Sequence, residues 1–214
     1  MSDVSLVEFC DTTPLLLRAA SWIAGRSHNP RRTVLQIVRR GDLVEIAGSN
    51  SYTLILGHIR TSRIDGLDDG QGYRVGDAKI ARRISRVLKD CSQLYEFEVH
   101  ADEARAVLRM GTDVGNEYEY LELSLSHVET ALDLSSIVHD ARDEGSAGAV
   151  TMWPRRLREV QKLMRTVGGP TWPWAIEPHG PKAPIVWSVS DDIMKAQAAP
   201  YRGLVIASMP CRQD

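Results

Sequence analysis

The 214-residue chain has few cysteines, no long apolar run and no low-complexity segment. Its three cysteines, Cys10, Cys91 and Cys211, are odd in number and far apart, which argues against a disulfide framework and favours a reducing compartment. The lack of a long apolar run excludes a helical membrane span, and acidic residues near the start stand where a signal peptide carries bases. We therefore expect a cytoplasmic protein with a packed core.

Signatures of catalysis and metal binding are equally scarce. The glycines between residues 70 and 76 do not complete a dinucleotide-binding loop, and the aspartates between residues 65 and 70 do not complete a calcium loop. Six histidines are scattered without the spacing of metal ligands. We expect no catalytic residue, no metal, no cofactor and no enzymatic role.

What the chain does have is a strong segregation of charge. Its formal net charge is only −2, but residues 90–145 contain 14 acidic residues and three basic ones. The rest of the chain is therefore basic. A protein of this kind can bind a polyanion through one face, provided that its bases lie on the same surface.

The bases do fall on one side of two predicted helices. The first helix follows the N-cap Asp77 and continues to Lys89, and its apolar positions include Ile80, Ile84 and Leu88. Its opposite face is purely basic, which an ordinary solvated face seldom is. These bases and those of the second helix are the candidate DNA-binding residues: Lys79, Arg82, Arg83, Arg86, Lys89, Arg155, Arg158, Lys162 and Arg165.

The second helix is predicted from Pro154 to the glycine pair that starts at Gly168. Leu157, Val160, Met164 and Val167 form its expected apolar stripe, and only Glu159 interrupts its basic side. The alternative for each helix taken alone is a solvated face without a ligand. Two such basic faces in one small protein favour a surface that contacts phosphates.

Strand-like segments surround these helices and indicate an internal repeat. A basic helix followed by an antiparallel meander occurs in residues 72–125 and again in residues 150–212, which predicts an α+β fold. An earlier helix is expected over residues 15–24. We divide the chain into a first domain (1–126), an acidic linker or shortened element (127–149) and a half or shortened second domain (150–214).

This order of elements resembles one domain of the bacterial replicative sliding clamp, the beta subunit of DNA polymerase that serves as its processivity factor. The resemblance covers a helix, a strand run, the turn at Gly48-Ser49-Asn50 and the basic helix that follows Asp77. The C-terminal Met209-Pro210-Cys211-Arg212 is also similar to the end of such clamps. The resemblance implies clamp-like repeats with antiparallel sheets outside and basic helices on one face.

The same resemblance implies a DNA-replication role: a processivity or tethering factor that contacts duplex DNA without sequence specificity. Partners such as DNA polymerase or other clamp-binding proteins would dock through a peptide beside the terminal strand, at Leu204, Met209, Pro210 and Arg212. It also implies a nucleoid-associated homo-oligomer, with a trimeric ring favoured. The alternative is a clamp-derived interaction or regulatory module that does not close a ring, and a third possibility is an unrelated nucleic-acid-binding or enzymatic protein.

Overall fold

The structure is a computed structural model. It describes residues 4–9, 14–27, 34–91, 93–100, 105–111, 118–124, 126–128, 133–143, 151–168, 171–179, 183–196 and 201–210. All statements about the fold refer to these residues.

Twelve strands and five helices make up the described part of the chain. The strands are β1 (Val4–Phe9), β2 (Val34–Arg40), β3 (Leu43–Ser49), β4 (Thr53–Asp65), β5 (Gly72–Val75), β6 (Gln93–His100), β7 (Arg105–Gly111), β8 (Tyr118–Ser124), β9 (Ser126–Val128), β10 (Ala175–Glu177), β11 (Ile185–Ser188) and β12 (Tyr201–Ser208). The helices are α1 (Leu15–Ala24), α2 (Ala78–Val87), α3 (Leu134–Asp143), α4 (Pro154–Val167) and α5 (Asp191–Ala196).

The fold predicted from the sequence is confirmed in its main features. The early helix and both basic helices are present, and the strands are antiparallel throughout. The sequence did not predict β1, β5, β9, α3 or α5. Two of these elements, β9 and α3, lie in or at the edge of the acidic segment 127–149, which contains a short strand end and a three-turn helix.

The long strand β4 is central to the sheet, because it pairs with three other strands. Its first part pairs with β3 on one edge and with β12 on the other, and its last residues pair with β1. The sheet then runs through β6, β7 and β8 on one side and through β2, β5 and β9 on another. Because β12 pairs with β4, the segment 150–214 continues the sheet of the segment 1–126.

A unit of one strand, one helix and a three-strand meander occurs three times, where the sequence had indicated two copies. The units are β1-α1-β2-β3-β4, β5-α2-β6-β7-β8 and β9-α4-β10-β11-β12, with α3 and α5 as additions to the third. The first two units exchange strands: β5 pairs with β2, and β1 pairs with β6. Each unit thus completes the sheet of the other.

Helices α1, α2 and α4 share one face of the sheet. Their apolar sides meet the sheet in the main core, which includes Leu16, Ile84, Leu163 and Ile206. Helix α1 lies between the other two and contacts both. It packs closely on β3 because Gly48 has no side chain to collide with the α1 backbone at Ala20.

The opposite face of the sheet carries a second, smaller core. There α3 places Leu134, Val138 and Ala141 against apolar residues of β4, β11 and β12. The basic helices therefore lie on one side of the sheet, as predicted. The helix α3 of the acidic segment lies on the other side, which the sequence did not predict.

Candidate nucleic-acid interface

Three helices form one basic groove. It has a volume of about 430 Å³, and its lining combines the middle of α1, the exposed face of α2 and the C-terminal half of α4. The lining residues are Arg18, Trp22, Arg82, Ser85, Arg86, Lys89, Lys162 and Thr166. Five of these eight are basic and none is acidic, so the groove suits an anionic ligand that is long enough to contact several cations.

All nine predicted DNA-binding residues are exposed on α2, α4 or the residues just beyond α2. The structure brings four of them together in the groove: Arg82, Arg86, Lys89 and Lys162. The other five, Lys79, Arg83, Arg155, Arg158 and Arg165, lie outside the groove lining on the same helices. They extend the basic surface beyond the groove along both helices.

Helix α1 contributes two groove residues that the sequence reasoning missed. Arg18 and Trp22 are spaced four residues apart and lie between α2 and α4. Both stand in a helix whose other residues are mostly apolar and buried. A large polar or aromatic residue repeated at four-residue spacing on such a helix marks its exposed stripe, and this signal could have revealed them.

The Trp22 ring contacts two of the cations around it. The Lys162 Nζ lies 4.3 Å from the centroid of the Trp22 ring, and the Arg26 guanidinium lies 5.1 Å from it. Both are cation–π geometries. Burial, together with the positive charges of Arg26 and Arg18, lowers the pKa of Lys162. A phosphate in the groove would relieve this crowding of like charges.

The structure corrects the predicted orientation of α4, most clearly at Glu159. It was expected on the basic face, but its side chain is 3% exposed, whereas Leu157, expected in the apolar stripe, is 44% exposed. The helix is therefore rotated relative to the predicted stripe. Val160, Leu163 and Val167 form the apolar part of its buried face, and Glu159 completes it.

Polar partners explain why a carboxylate is buried there. Glu159 Oε2 accepts hydrogen bonds from Arg156 Nη1 at 3.0 Å and from Thr53 Oγ1 at 3.3 Å, and Oε1 accepts one from Arg26 Nε at 3.2 Å. Burial alone would raise the pKa of Glu159, but Arg156 and Arg26 outweigh it and hold the pKa below its usual value. Arg155 also lies near, 3.7 Å from the carboxylate.

A second, apolar groove lies on the opposite face of the sheet. It is about 100 Å³ in volume and is bordered by the turn before β4, by α3 and by the end of β12. Tyr52, Ile137 and Met209 line it, and all three are exposed although apolar. Tyr52 and Ile137 were not predicted, because the sequence does not show that α3 packs beside this turn.

The predicted partner-docking residues divide between groove and core. Met209 lines the apolar groove and is 36% exposed. Pro210 follows it and is partly exposed. Leu204 is fully buried in the main core, on the helix side of β12, so the structure places it away from this groove. Arg212 lies outside the described residues.

The basic helices and the apolar groove are joined by a short chain of contacts. The Arg156 guanidinium stacks over the Tyr52 ring at 4.0 Å, and the Met209 backbone N–H donates to the Tyr52 carbonyl at 2.8 Å. Because Arg156 also binds Glu159, the buried carboxylate fixes one wall of the apolar groove. The first turn of α4 thus supports the apolar groove, whereas the C-terminal half of the same helix lines the basic groove.

Among the described residues, no cluster of three or more His, Cys, Asp or Glu side chains is arranged to hold a metal ion. No helix in the described ranges is long and apolar enough to cross a membrane.

An antiparallel sheet with repeated strand–helix–meander units and basic helices on one face is the fold of the DNA sliding clamps. Solved structures of this class match over nearly the whole chain. A Helicobacter pylori beta clamp in complex with carprofen matches with a TM-score of 0.64 at 10% identity, over 99% of this chain and 67% of that one.

Two further clamps give the same result. The beta subunit of DNA polymerase III from Thermotoga maritima has a TM-score of 0.59 at 11% identity, over 100% of this chain and 67% of that one. Proliferating Cellular Nuclear Antigen from Entamoeba histolytica has a TM-score of 0.55 at 10% identity, over 99% and 100%. No family model and no curated protein matches the sequence. The likeness shows the sliding-clamp fold.

Proposed function

We propose that the protein is a clamp-like tethering factor that contacts duplex DNA through the basic groove and docks partner proteins at the apolar groove. The observation that carries the proposal is the convergence of five cations from three helices on one groove lined by no acid. The sliding-clamp fold supports it, because the groove lies on the helix face of the sheet.

The chemistry of the groove favours phosphate contacts over base reading. Its cations are arginine and lysine side chains at exposed positions, whose geometry adapts to passing phosphates. Contacts of this kind carry no sequence information, and they are strongly salt-dependent because binding releases counterions from the DNA. We therefore propose binding to duplex DNA of any sequence.

The test is a binding titration with two unrelated short duplexes, followed by fluorescence anisotropy. Wild type should bind both with equal affinity. A variant with Arg82, Arg86, Arg158 and Arg165 each changed to Glu should lose binding to both while keeping its melting temperature, because all four side chains are exposed. A control with Arg60→Glu and Lys195→Glu, which are exposed but outside the groove, should bind like wild type.

Either of two results would contradict the proposal that this groove binds duplex DNA of any sequence. One is duplex binding by the four-residue variant at wild-type affinity. The other is a marked preference of wild type for one duplex sequence over the other.

The second part of the proposal concerns the partner site. The apolar groove offers three exposed apolar side chains next to a sheet end, and its volume suits one or two apolar anchors of an extended peptide. Methionine adapts its shape to such anchors. DNA polymerase and other clamp-binding proteins are the proposed partners, by analogy with the fold.

Partner docking is tested with clamp-binding peptides rich in Gln and Leu. Wild type should bind such a peptide, and Met209→Asp should not, while both bind duplex DNA equally. Duplex binding with no peptide affinity in wild type would remove the partner site and leave the DNA-contacting role in place.

A closed ring is the proposed working form, and a module that never closes a ring is the alternative. A nicked circular duplex separates them. A closed ring should stay on the circle at high salt and leave after the circle is linearised, whereas an open module should leave both at the same salt concentration.

A further inference from the structure

Duplex binding leaves one part of the basic groove without a role. The groove has two walls, α2 and α4, and a floor provided by α1, which lies between them. The floor residues are Arg18 and Trp22. A duplex presents its phosphates and the edges of its bases, but it keeps the faces of the bases inside the stack. It therefore offers no group that matches the face of the Trp22 ring.

Trp22 is the aromatic residue of the groove lining, and it is partly exposed. Its neighbours along α1, Ser21 and Ile23, are fully buried. Arg18 precedes Trp22 by four residues, so the two side chains are neighbours on the same face of the helix. The floor thus places an aromatic ring directly beside a guanidinium group.

Lys162 covers the side of the Trp22 ring that is turned to the groove. Its Nζ lies 4.3 Å from the ring centroid, and Lys162 itself lines the groove, whereas Arg26 contacts the ring from outside the groove lining. Burial and the positive charges of Arg26 and Arg18 lower the pKa of Lys162. A phosphate is a stronger partner for this ammonium group than the ring is. Movement of Lys162 to a phosphate would uncover the face of the indole.

The groove also has the size of a ligand pocket. Its volume of about 430 Å³ lies within the range of roughly 300–1,000 Å³ that is usual for pockets holding small organic ligands. Helices α1 and α2 approach closely beside it, because Gly25 has no side chain to collide with Arg82. The floor therefore has room for a ligand of the size of one nucleotide.

We propose that the floor of the basic groove binds one unpaired nucleotide, with its base stacked on Trp22 and its phosphate held by Lys162 and Arg18. Ser85 and Thr166 place hydroxyl groups on the walls, where they can bond the sugar or the edge of the base. Stacking on an aromatic ring tolerates any base, because every base has a π-face. The site thus adds a preference for unpaired nucleotides without adding a preference for sequence.

Two sources can supply such a nucleotide: a DNA strand at the point where it leaves a duplex, and a free nucleoside triphosphate. Both combine an unpaired base with phosphate. For the DNA strand the inference rests on the proposed duplex contact, and for the free nucleotide it does not.

The first experiment compares three short DNA ligands in anisotropy titrations. They are a blunt duplex, the same duplex with a single-stranded extension, and the same duplex with an extension of abasic nucleotides. The two extensions carry the same phosphates, so their comparison isolates the effect of the bases. Wild type should bind the extension with bases on the order of 10-fold more tightly than the abasic one, as expected for one base stacked on an aromatic ring.

Variants of Trp22 assign this preference to the ring. Trp22→Leu should bind both extensions equally, because leucine keeps an apolar contact with the core but has no ring. It should bind the blunt duplex like wild type, which a merely structural role of Trp22 would not allow. Trp22→Phe should retain most of the preference. Trp153→Leu, at a tryptophan that is 63% exposed outside the groove, is the matched control and should keep all of it.

The second experiment uses a free nucleotide, 2-aminopurine riboside triphosphate, whose fluorescence is quenched when its base stacks. Wild type and Trp153→Leu should quench it, and Trp22→Leu should not. Inorganic triphosphate is the control for the cations alone, and it should bind wild type on the order of 10-fold more weakly because it has no base to stack.

The two experiments identify the source of the nucleotide. A preference for the extension with bases supports a DNA strand, and quenching of the free nucleotide supports a nucleoside triphosphate. The inference is overturned if wild type shows neither effect, if Trp22→Leu keeps the wild-type effect, or if Trp22→Leu also loses the blunt duplex. The proposed function fails separately, when wild type does not bind the blunt duplex. Quenching that is lost in Trp22→Leu would then leave the nucleotide site in place.

Discussion

Helices α2 and α4 have the same kind of sequence pattern but use their charges differently. On α2 the bases are exposed, and three bases of α2 and its C-terminal extension line the groove: Arg82, Arg86 and Lys89. On α4 the first turn is organised around the buried Glu159, which binds Arg156 and lies near Arg155. Only the C-terminal half of α4 reaches the groove, through Lys162 and Thr166.

The difference shows that a basic stripe can serve two purposes. On α2 it is available to a ligand along its whole length. On α4 its first part neutralises a buried carboxylate and holds the turn before β4, and only its second part is available. Charge counts alone would rate the two helices as equal.

The largest expected effect comes from reversing charges on each helix separately. Arg82→Glu with Arg86→Glu should lower duplex affinity on the order of 1,000-fold, because four units of charge change inside the groove. Arg155→Glu with Arg158→Glu should lower it roughly 10-fold, since both lie outside the groove lining. Anisotropy titrations at one fixed salt concentration measure both.

Equal losses for the two variants would contradict the distinction between the helices. A melting scan of each variant serves as the control for folding. The α2 variant should melt close to wild type because Arg82 and Arg86 are exposed. The α4 variant should melt lower, because Arg155→Glu places a second carboxylate beside the buried Glu159.

Glu159→Gln tests whether the first turn of α4 has a structural role. The variant leaves Arg156 and Arg26 without their carboxylate, and breaking a buried pair of this kind costs about 3 kcal/mol of the free energy of unfolding. Denaturant unfolding measures it. The matched control is Glu177→Gln at the more exposed pair with Arg142, which should cost less than about 1 kcal/mol. Similar losses in the free energy of unfolding of both variants would show that the burial of Glu159 adds nothing to stability.

The same carboxylate makes stability depend on pH. The pKa of Glu159 is held below its usual value of 4.5, so the folded protein binds a proton less readily than the unfolded chain. Its stabilisation is complete above pH 4.5 and is lost as the pH falls through the lowered pKa.

The gap in melting temperature between wild type and Glu159→Gln should therefore narrow below pH 4.5. Melting scans of both proteins between neutral and acidic pH check this. A gap that stays constant down to the acid transition would contradict the lowered pKa.

The smallest expected effect concerns the helix starts. The Asp77 carboxylate caps α2 by accepting from the Lys79 backbone N–H at 2.7 Å, whereas Trp153 at the start of α4 provides no side-chain cap. Asp77→Ala should cost about 1 kcal/mol, and Asp77→Ser should retain most of that stability. Trp153→Ala should cost less than Asp77→Ala. The reverse order in denaturant unfolding would mean that α4 depends on contacts of Trp153 more than α2 depends on its cap.

The sequence predicted what is encoded locally. The N-cap Asp77, the periodicity of α2 and the glycine after α4 define those helices without reference to the rest of the chain. The layering of sheet and basic helices also follows from their one-sided patterns.

The features that the sequence could not predict depend on contacts between residues that are distant in the chain. Glu159 is buried because Thr53 and Arg26, more than 100 residues away, supply its hydrogen bonds. Tyr52 and Ile137 meet only because α3 packs on the outer face of the sheet. The sequence indicated two repeat units, which are the second and third units of the structure. The first unit was missed because it has no basic helix and its sequence does not resemble the others.

The salt dependence of duplex affinity tests the central claim most directly. If the groove cations contact phosphates, a plot of log affinity against log salt concentration should fall with a slope of about −4 or steeper for wild type. Arg82→Ala with Arg86→Ala should make the slope shallower by about 2, one for each lost contact. A wild-type slope near zero, or a slope unchanged in this variant, would contradict the assignment of the groove to duplex DNA.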